Sequence, residues 1–218
     1  MKKTCLILFI IFTAYSNTYA AGVDIFTPKK QTPKGLIINE LSKPEIFSTG
    51  NDLTRKVGSF NVAIGEQLYI KGTVTDAFGV PIEGATIKIW QTNASGNYQD
   101  LLKPDSNYID KNFVMSGTAR TDNLGRYGFK TIFPGFVKDR APHVNIVISH
   151  PNFGEIETEI YFENHPDNDK DPQYMSYSKE DREALTAKVL NVDYQNLEEG
   201  KMAIFDIVMD GIHSYKGY

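Results

Sequence analysis

From Gly65 onward the chain alternates between apolar and polar positions. In Gln67–Thr75, Leu68, Ile70 and Val74 fall on one side, and Tyr69, Lys71, Thr73 and Thr75 on the other. That period of two is the signature of a half-buried strand. Asp76-Ala77-Phe78-Gly79 supplies turn chemistry, and Ile87 and Ile89 resume the alternation up to Trp90. Strand patterns return at residues 117–121, at 127–132 after the turn Asp122-Asn123-Leu124-Gly125, and at 144–149, 155–162 and 202–209. Short strands separated by turns predict an all-β fold, an antiparallel β-sandwich. One short C-terminal helix is expected. Ser178 precedes Lys179-Glu180-Asp181 as an approximate capping box, and Ala184, Leu185, Val189 and Leu190 follow at helical spacing.

The ends of the chain read differently. Lys2 and Lys3 open it, Cys5 to Tyr15 is an apolar run, and Thr18-Tyr19-Ala20 has the small-x-small form of a cleavage site. Residues 1–20 are therefore expected to be a signal peptide cut after Ala20, which makes the mature protein secreted or periplasmic. The run is shorter than the roughly 20 apolar residues of a spanning helix. Cleavage removes Cys5, the only cysteine, so disulfides and thiolate-bound metals are excluded from the mature chain. Residues 21–60 read as an extended N-terminal arm, because Pro28 and Pro33 in a polar stretch forbid a regular helix. Residues 61–213 carry the sandwich domain.

Composition changes the picture in one respect. Hydrophobic residues at 41% and charged residues at 23% are ordinary globular usage. A net charge of −4 with no basic run argues against a nucleic-acid partner, which needs a concentrated positive patch.

Four constellations could carry chemistry. Trp90-Gln91-Thr92-Asn93-Ala94-Ser95-Gly96-Asn97-Tyr98 runs from a strand into a polar turn and ends on a tyrosine. Its bland reading is a surface loop, and Asn93-Ala94-Ser95 is also a glycosylation sequon. In the second, the loop bearing Arg140 enters a strand where alternation separates His143, Asn145 and Val147 from the aliphatic face of Val144, Ile146 and Ile148. A lone strand histidine is usually structural, but a polar pair opposite an aliphatic face points to a site. The third, His165 to Asp171, has alternate acids at 167, 169 and 171 that could offer oxygens to calcium. It lacks the glycine and distant glutamate of a calcium hand, so a solvated acidic loop is expected. Asp206, His213 and scattered serines show no triad spacing, and there is no G-x-S-x-G.

Several of these motifs, taken in order, resemble one family. They are Gly72-Thr73-Val74-Thr75-Asp76, Ile89-Trp90-Gln91-Thr92-Asn93 through Tyr98, Gly125-Arg126-Tyr127-Gly128-Phe129, Pro134-Gly135, Arg140 with His143, Tyr161-Phe162 and Asp171-Pro172. Together they are similar to the intradiol ring-cleavage dioxygenases, above all to protocatechuate 3,4-dioxygenase subunits, over about residues 48 to 210. The resemblance implies a sandwich of the intradiol type holding one non-haem Fe3+ on two tyrosines and two histidines. It implies insertion of O2 into catechol-like aromatics, and homo- or hetero-oligomers with related subunits. On that pattern Tyr98 and His143 are the metal ligands retained, and Arg140 is the catalytic residue that meets substrate. The other two ligand positions are occupied by Val137 and Asn145. Valine has no donor, and an amide oxygen is a neutral ligand better suited to calcium or magnesium.

Two functions follow from this set. One is a ring-cleavage dioxygenase that works with a reduced ligand set. The other is a sandwich that has lost its metal and serves as a binding or partner subunit. A third, plainer reading is a transthyretin-like or adhesin module, and it leaves residues 121–172 unmatched.

Overall fold

The structure is a computed structural model, and it describes residues 27–35, 42–98, 109–194 and 197–211. The expected signal peptide and His213 lie outside the described residues. The elements in chain order are β1 (Gln67–Thr75), β2 (Thr86–Trp90), β3 (Ser116–Arg120), β4 (Arg126–Ile132), β5 (Val144–His150), β6 (Gly154–Phe162), α1 (Pro172–Ser176), α2 (Lys179–Leu185), β7 (Thr186–Tyr194), β8 (Leu197–Ile204) and β9 (Ile207–Val208). The all-β class holds.

The strands hydrogen-bond in the order β3-β2-β5-β6-β7-β8-β1-β4, with β9 beside β1. The sheet is mixed, which corrects the antiparallel expectation. β7 runs parallel to β6, and β8 and β9 run parallel to β1. Parallel neighbours require a crossover rather than a hairpin. Helices α1 and α2 supply it between β6 and β7. Alternation marks each strand without saying which strand it will lie beside, so the sequence pattern could not show this.

Among the described residues, the strand pairing that joins the half β3-β2-β5-β6 to the half β7-β8-β1-β4 is Tyr161–Thr186 and Phe162–Ala187. The inward faces of both halves fill one core. Ile87 and Ile89 of β2, Ile146 and Ile148 of β5, Leu68 and Ile70 of β1 and Phe129 of β4 all belong to it. Gly72 is required where the chain between β8 and β9 runs alongside β1, because a Cβ there would lie 1.8 Å from the Phe205 carbonyl oxygen.

Ser178 caps α2 by accepting the Asp181 amide at 3.1 Å. The helix stops at Leu185, and Val189 and Leu190, read as its continuation, lie in β7. Val189 faces Ala203 and Leu190 faces Met202, so strand pairing overrides the local period. Helix α1 was not foreseen.

The arm is partly inside the fold. Asn51 and Leu53 exchange backbone hydrogen bonds with Lys130 on the edge strand β4. Gly50 accepts from Thr118 of the opposite edge strand β3, and Leu53 is completely buried. This short stretch closes the open side of the sandwich. A sheet edge left bare would be a template for stray pairing.

Candidate functional site

Two loops meet at one end of the first half-sheet. Asn93 folds the loop after β2 by accepting the Ser95 and Asn97 amides on its Oδ1, at 3.0 and 3.1 Å. Asn93 is buried, so the sequon is not presented to solvent. The loop after β4 lies against it. Gly135 donates its amide to the Asn93 carbonyl at 3.0 Å, and Thr92 Oγ1 donates to the Gly135 carbonyl at 2.9 Å. A Cβ on Gly96 would sit 2.0 Å from the Phe136 oxygen, and one on Gly135 would sit 2.3 Å from the Gly96 nitrogen. Only glycines allow this approach, which brings Tyr98 beside the Val137 loop. Gln91 bridges both halves through the Ile132 carbonyl at 2.8 Å and the Thr131 hydroxyl at 3.0 Å.

The register aligns Trp90, Asn145 and Glu159 in one row across β2, β5 and β6. Their face is the one opposite the aliphatic core, and it too is buried here: Asn145 and Glu159 are each 1% exposed. His143 and Tyr98 are also buried. The His143 Nδ1 lies 2.7 Å from the Ala141 carbonyl, which can only accept. That fixes the proton on Nδ1 and leaves Nε2 as an acceptor. Burial holds the imidazole below its ordinary value, with the Glu159 charge pulling the other way. Tyr98 Oη lies 3.3 Å from His143 Nε2, so the phenol donates to it. Burial raises the Tyr98 phenol, with the Asn145 bond opposing the rise. Asn145 Nδ2 donates to both the Trp90 carbonyl at 3.2 Å and Tyr98 Oη at 3.0 Å. The result is a neutral relay from Asn145 N–H to Tyr98 O–H to His143 Nε2.

Arg140 emerges from the Lys138-Asp139 turn, where Lys138 takes a φ of 49°. Its guanidinium is held through Nε and Nη2. Nε donates to both oxygens of Asp171 at 3.0 and 2.9 Å, and Nη2 to Glu159 at 2.7 Å and Tyr161 Oη at 2.8 Å. Glu159 Oε2 also accepts from Tyr161 at 2.7 Å and Gln173 at 2.9 Å, and its Oε1 lies 3.8 Å from His143 Nε2. Asp171 caps α1 through the Gln173 and Tyr174 amides.

The structure thus brings together Tyr98, His143, Asn145 and Arg140. Val137 lies partly buried against the core, on the loop opposite Tyr98. The acids of the 165–171 loop do not converge. Asp171 turns inward to Arg140, while Asp167 pairs with Lys170 at 2.8 Å. Asp206 caps the backbone at Thr73. Among the described residues, no three His, Cys, Asp or Glu side chains gather as a metal group. Glu159, Tyr161 and Gln173 were missed from sequence. Glu155, Glu157 and Glu159 alternate as a wet strand face would, and only the pairing with Asn145 shows that the last of them is inside.

Comparison with known proteins fixes the class. A family model described as Dioxygenase matches residues 45–211. The chain is 31% identical over 159 residues to the protocatechuate 3,4-dioxygenase alpha chain of Pseudomonas putida, covering 68% of this chain and 74% of that one. It is 29% identical over 171 residues to the beta chain of the Burkholderia cepacia enzyme, covering 74% and 72%. The solved structure of hydroxyquinol 1,2-dioxygenase from Pseudomonas putida DLL-E4 superposes with a TM-score of 0.65 at 18% identity, over 89% of this chain and 71% of that one. The chain belongs to the intradiol dioxygenase family.

Proposed function

We propose that this is an exported member of the intradiol dioxygenase family that has kept the fold and given up the ferric centre. It acts as a non-catalytic binding or partner subunit. The observation that carries this reading is the orientation of Asn145. Its amide group gives N–H to two acceptors, Tyr98 Oη and the Trp90 carbonyl. A ligand would have to present a lone pair instead. Fe3+ also needs anionic oxygen, and of the family's two tyrosine positions only Tyr98 supplies a phenol, since Val137 offers no donor atom. The residues present therefore do not fit the family's iron, and no step of ring cleavage is derived through it. Arg140, the residue expected to meet substrate, is occupied by Asp171 and Glu159. The alpha- and beta-chain relatives support the subunit reading, since each is a chain of an enzyme named for two kinds of chain. The lysines and apolar run before Ala20 support export.

The experiment is metal analysis and visible absorption of purified protein incubated with ferric iron, alongside the double variant Val137→Tyr with Asn145→His. The parent is expected to show no tyrosinate-to-iron charge-transfer band and no product from catechol or protocatechuate. The double variant is expected to hold iron and show the band. Stoichiometric iron in the parent overturns the reading. The mass of the exported protein, short by residues 1–20, checks cleavage after Ala20.

A further inference from the structure

The most exposed apolar side chains among the described residues all come from one stretch, residues 46–64, where the arm meets the domain. Val57 is 106% exposed, Phe60 100%, Ile46 88% and Ile64 74%, with Val62 beside them at 51%. This is not a loose tail. Leu53 and Thr54 anchor it in the core at one side. Ala63 donates its amide to the Thr54 carbonyl at 2.6 Å, Ser59 donates to Lys56 at 3.0 Å, and Ile64 donates to Asp110 Oδ2 at 2.6 Å. The loop is held outward by its own hydrogen bonds with its apolar side chains in water. Monomeric proteins rarely expose contiguous apolar surface in this way without a partner for it.

At the foot of this loop is a groove lined by Ile46, Phe47, Lys56, Ile109, Phe113 and Met115. Ile46 and Lys56 belong to both features, so projection and groove share one face. We propose that this face is a two-fold interface between copies of this chain, with the Val57–Phe60 projection of each copy seated in the groove of the other. A projection beside a complementary groove is what an isologous contact requires, since residue i meets j while j meets i. Charge permits it. Residues 46–64 carry only Asp52, Arg55 and Lys56, the groove adds Asp110, and Arg55 already pairs with Asp52 at 3.6 Å. Two copies meeting here bring little like charge together, although the chain as a whole is acidic. Size permits it also. The loop and groove rim approach the roughly 20 residues a side of a standard interface, and a single phenylalanine buries about 150–250 Å2. The proposal rests on this surface and not on the iron pocket, so it stands or falls separately from the function proposed above.

Sedimentation equilibrium of the purified full-length chain tests it, against Phe60→Asp, Val57→Asp and, from the groove side, Ile46→Asp. These side chains are solvated in the single copy, so each variant should keep the parent's circular dichroism, while its melting temperature, unlike the parent's, should not depend on protein concentration. The parent is expected at twice the chain mass, and each variant at the chain mass. A parent that stays monomeric at all concentrations overturns the proposal. So does a dimer that survives all three substitutions, which would place the contact elsewhere. Association of the parent only with a different subunit, and not with itself, overturns it too.

Discussion

At the scale of single residues, Glu159 organises the site more than any residue the sequence brings forward. Its Oε2 accepts from Arg140, Tyr161 and Gln173, tying the loop before β5, strand β6 and helix α1 to one atom. The carboxylate is 1% exposed, so its charge depends on Arg140 for compensation. Removing Glu159 leaves Arg140 with Asp171 only and Tyr161 and Gln173 without this acceptor, a loss smaller than the roughly 3–5 kcal/mol of a buried charge left with no partner. Glu159→Ala is therefore expected to lower the urea midpoint. Glu159→Gln should lose less, because Arg140 keeps Asp171 and the amide oxygen still accepts. Equal midpoints for parent and Glu159→Ala would show that the network does not hold the site. That Tyr98, His143 and Asn145 meet was legible from motif spacing, because a motif records which residue occupies which place. Glu159 was not, because its meaning depends on a partner in another strand.

At the scale of elements, the arm decides whether the sandwich closes. Leu53 sits between the two edge strands, and a Cβ on Gly117 of β3 would lie 2.6 Å from its Cδ1 and 2.8 Å from the Gly50 oxygen. The side chain has no space to shift into and the backbone oxygen cannot move alone. Leu53→Ala leaves a cavity in a place where both walls are strands, and such truncations cost about 2–5 kcal/mol. Gly117→Ala attacks the same joint by crowding it. Both are expected to unfold at lower urea than the parent, with the Leu53, Val114, Thr118 and Lys130 amides, which donate across this joint, losing hydrogen-exchange protection first. Unchanged protection at those amides would mean that the arm is not part of the closure. Strands β1 to β6 were readable, β1 to the residue, since alternation is a local property. The arm's role was hidden for the same reason. Pro28 and Pro33 correctly exclude a helix, yet nothing local shows that Leu53, some twenty residues on, has a buried slot waiting. Likewise Val189 and Leu190 carry helical spacing, and only the neighbouring β8 turns them into strand.

At the scale of the molecule, three buried phenols make stability depend on alkaline pH. Tyr98, Tyr127 and Tyr161 are each raised above the ordinary value of 10.0, in every case first by burial. Each keeps its proton for a reason in the fold: Tyr98 donates to His143, Tyr127 to the Phe205 carbonyl at 2.7 Å, and Tyr161 to Glu159. Below pH 10 folded and unfolded chains both hold these protons, so stability does not vary with them. Above it the unfolded chain releases protons that the folded chain retains. The unfolded state then binds fewer protons, and unfolding becomes easier as pH rises. The loss is about 1.4 kcal/mol per phenol for each pH unit past that point. Urea unfolding followed from pH 9 to about pH 11 should therefore show little change attributable to the phenols below pH 10 and a steep fall above it. Tyr127→Phe removes one titrating group and one hydrogen bond together. Its stability should start lower and then fall with a shallower slope, by about a third. Parallel slopes for the parent and Tyr127→Phe would show that the Tyr127 proton is not held by the fold, and the argument from burial would fail with it.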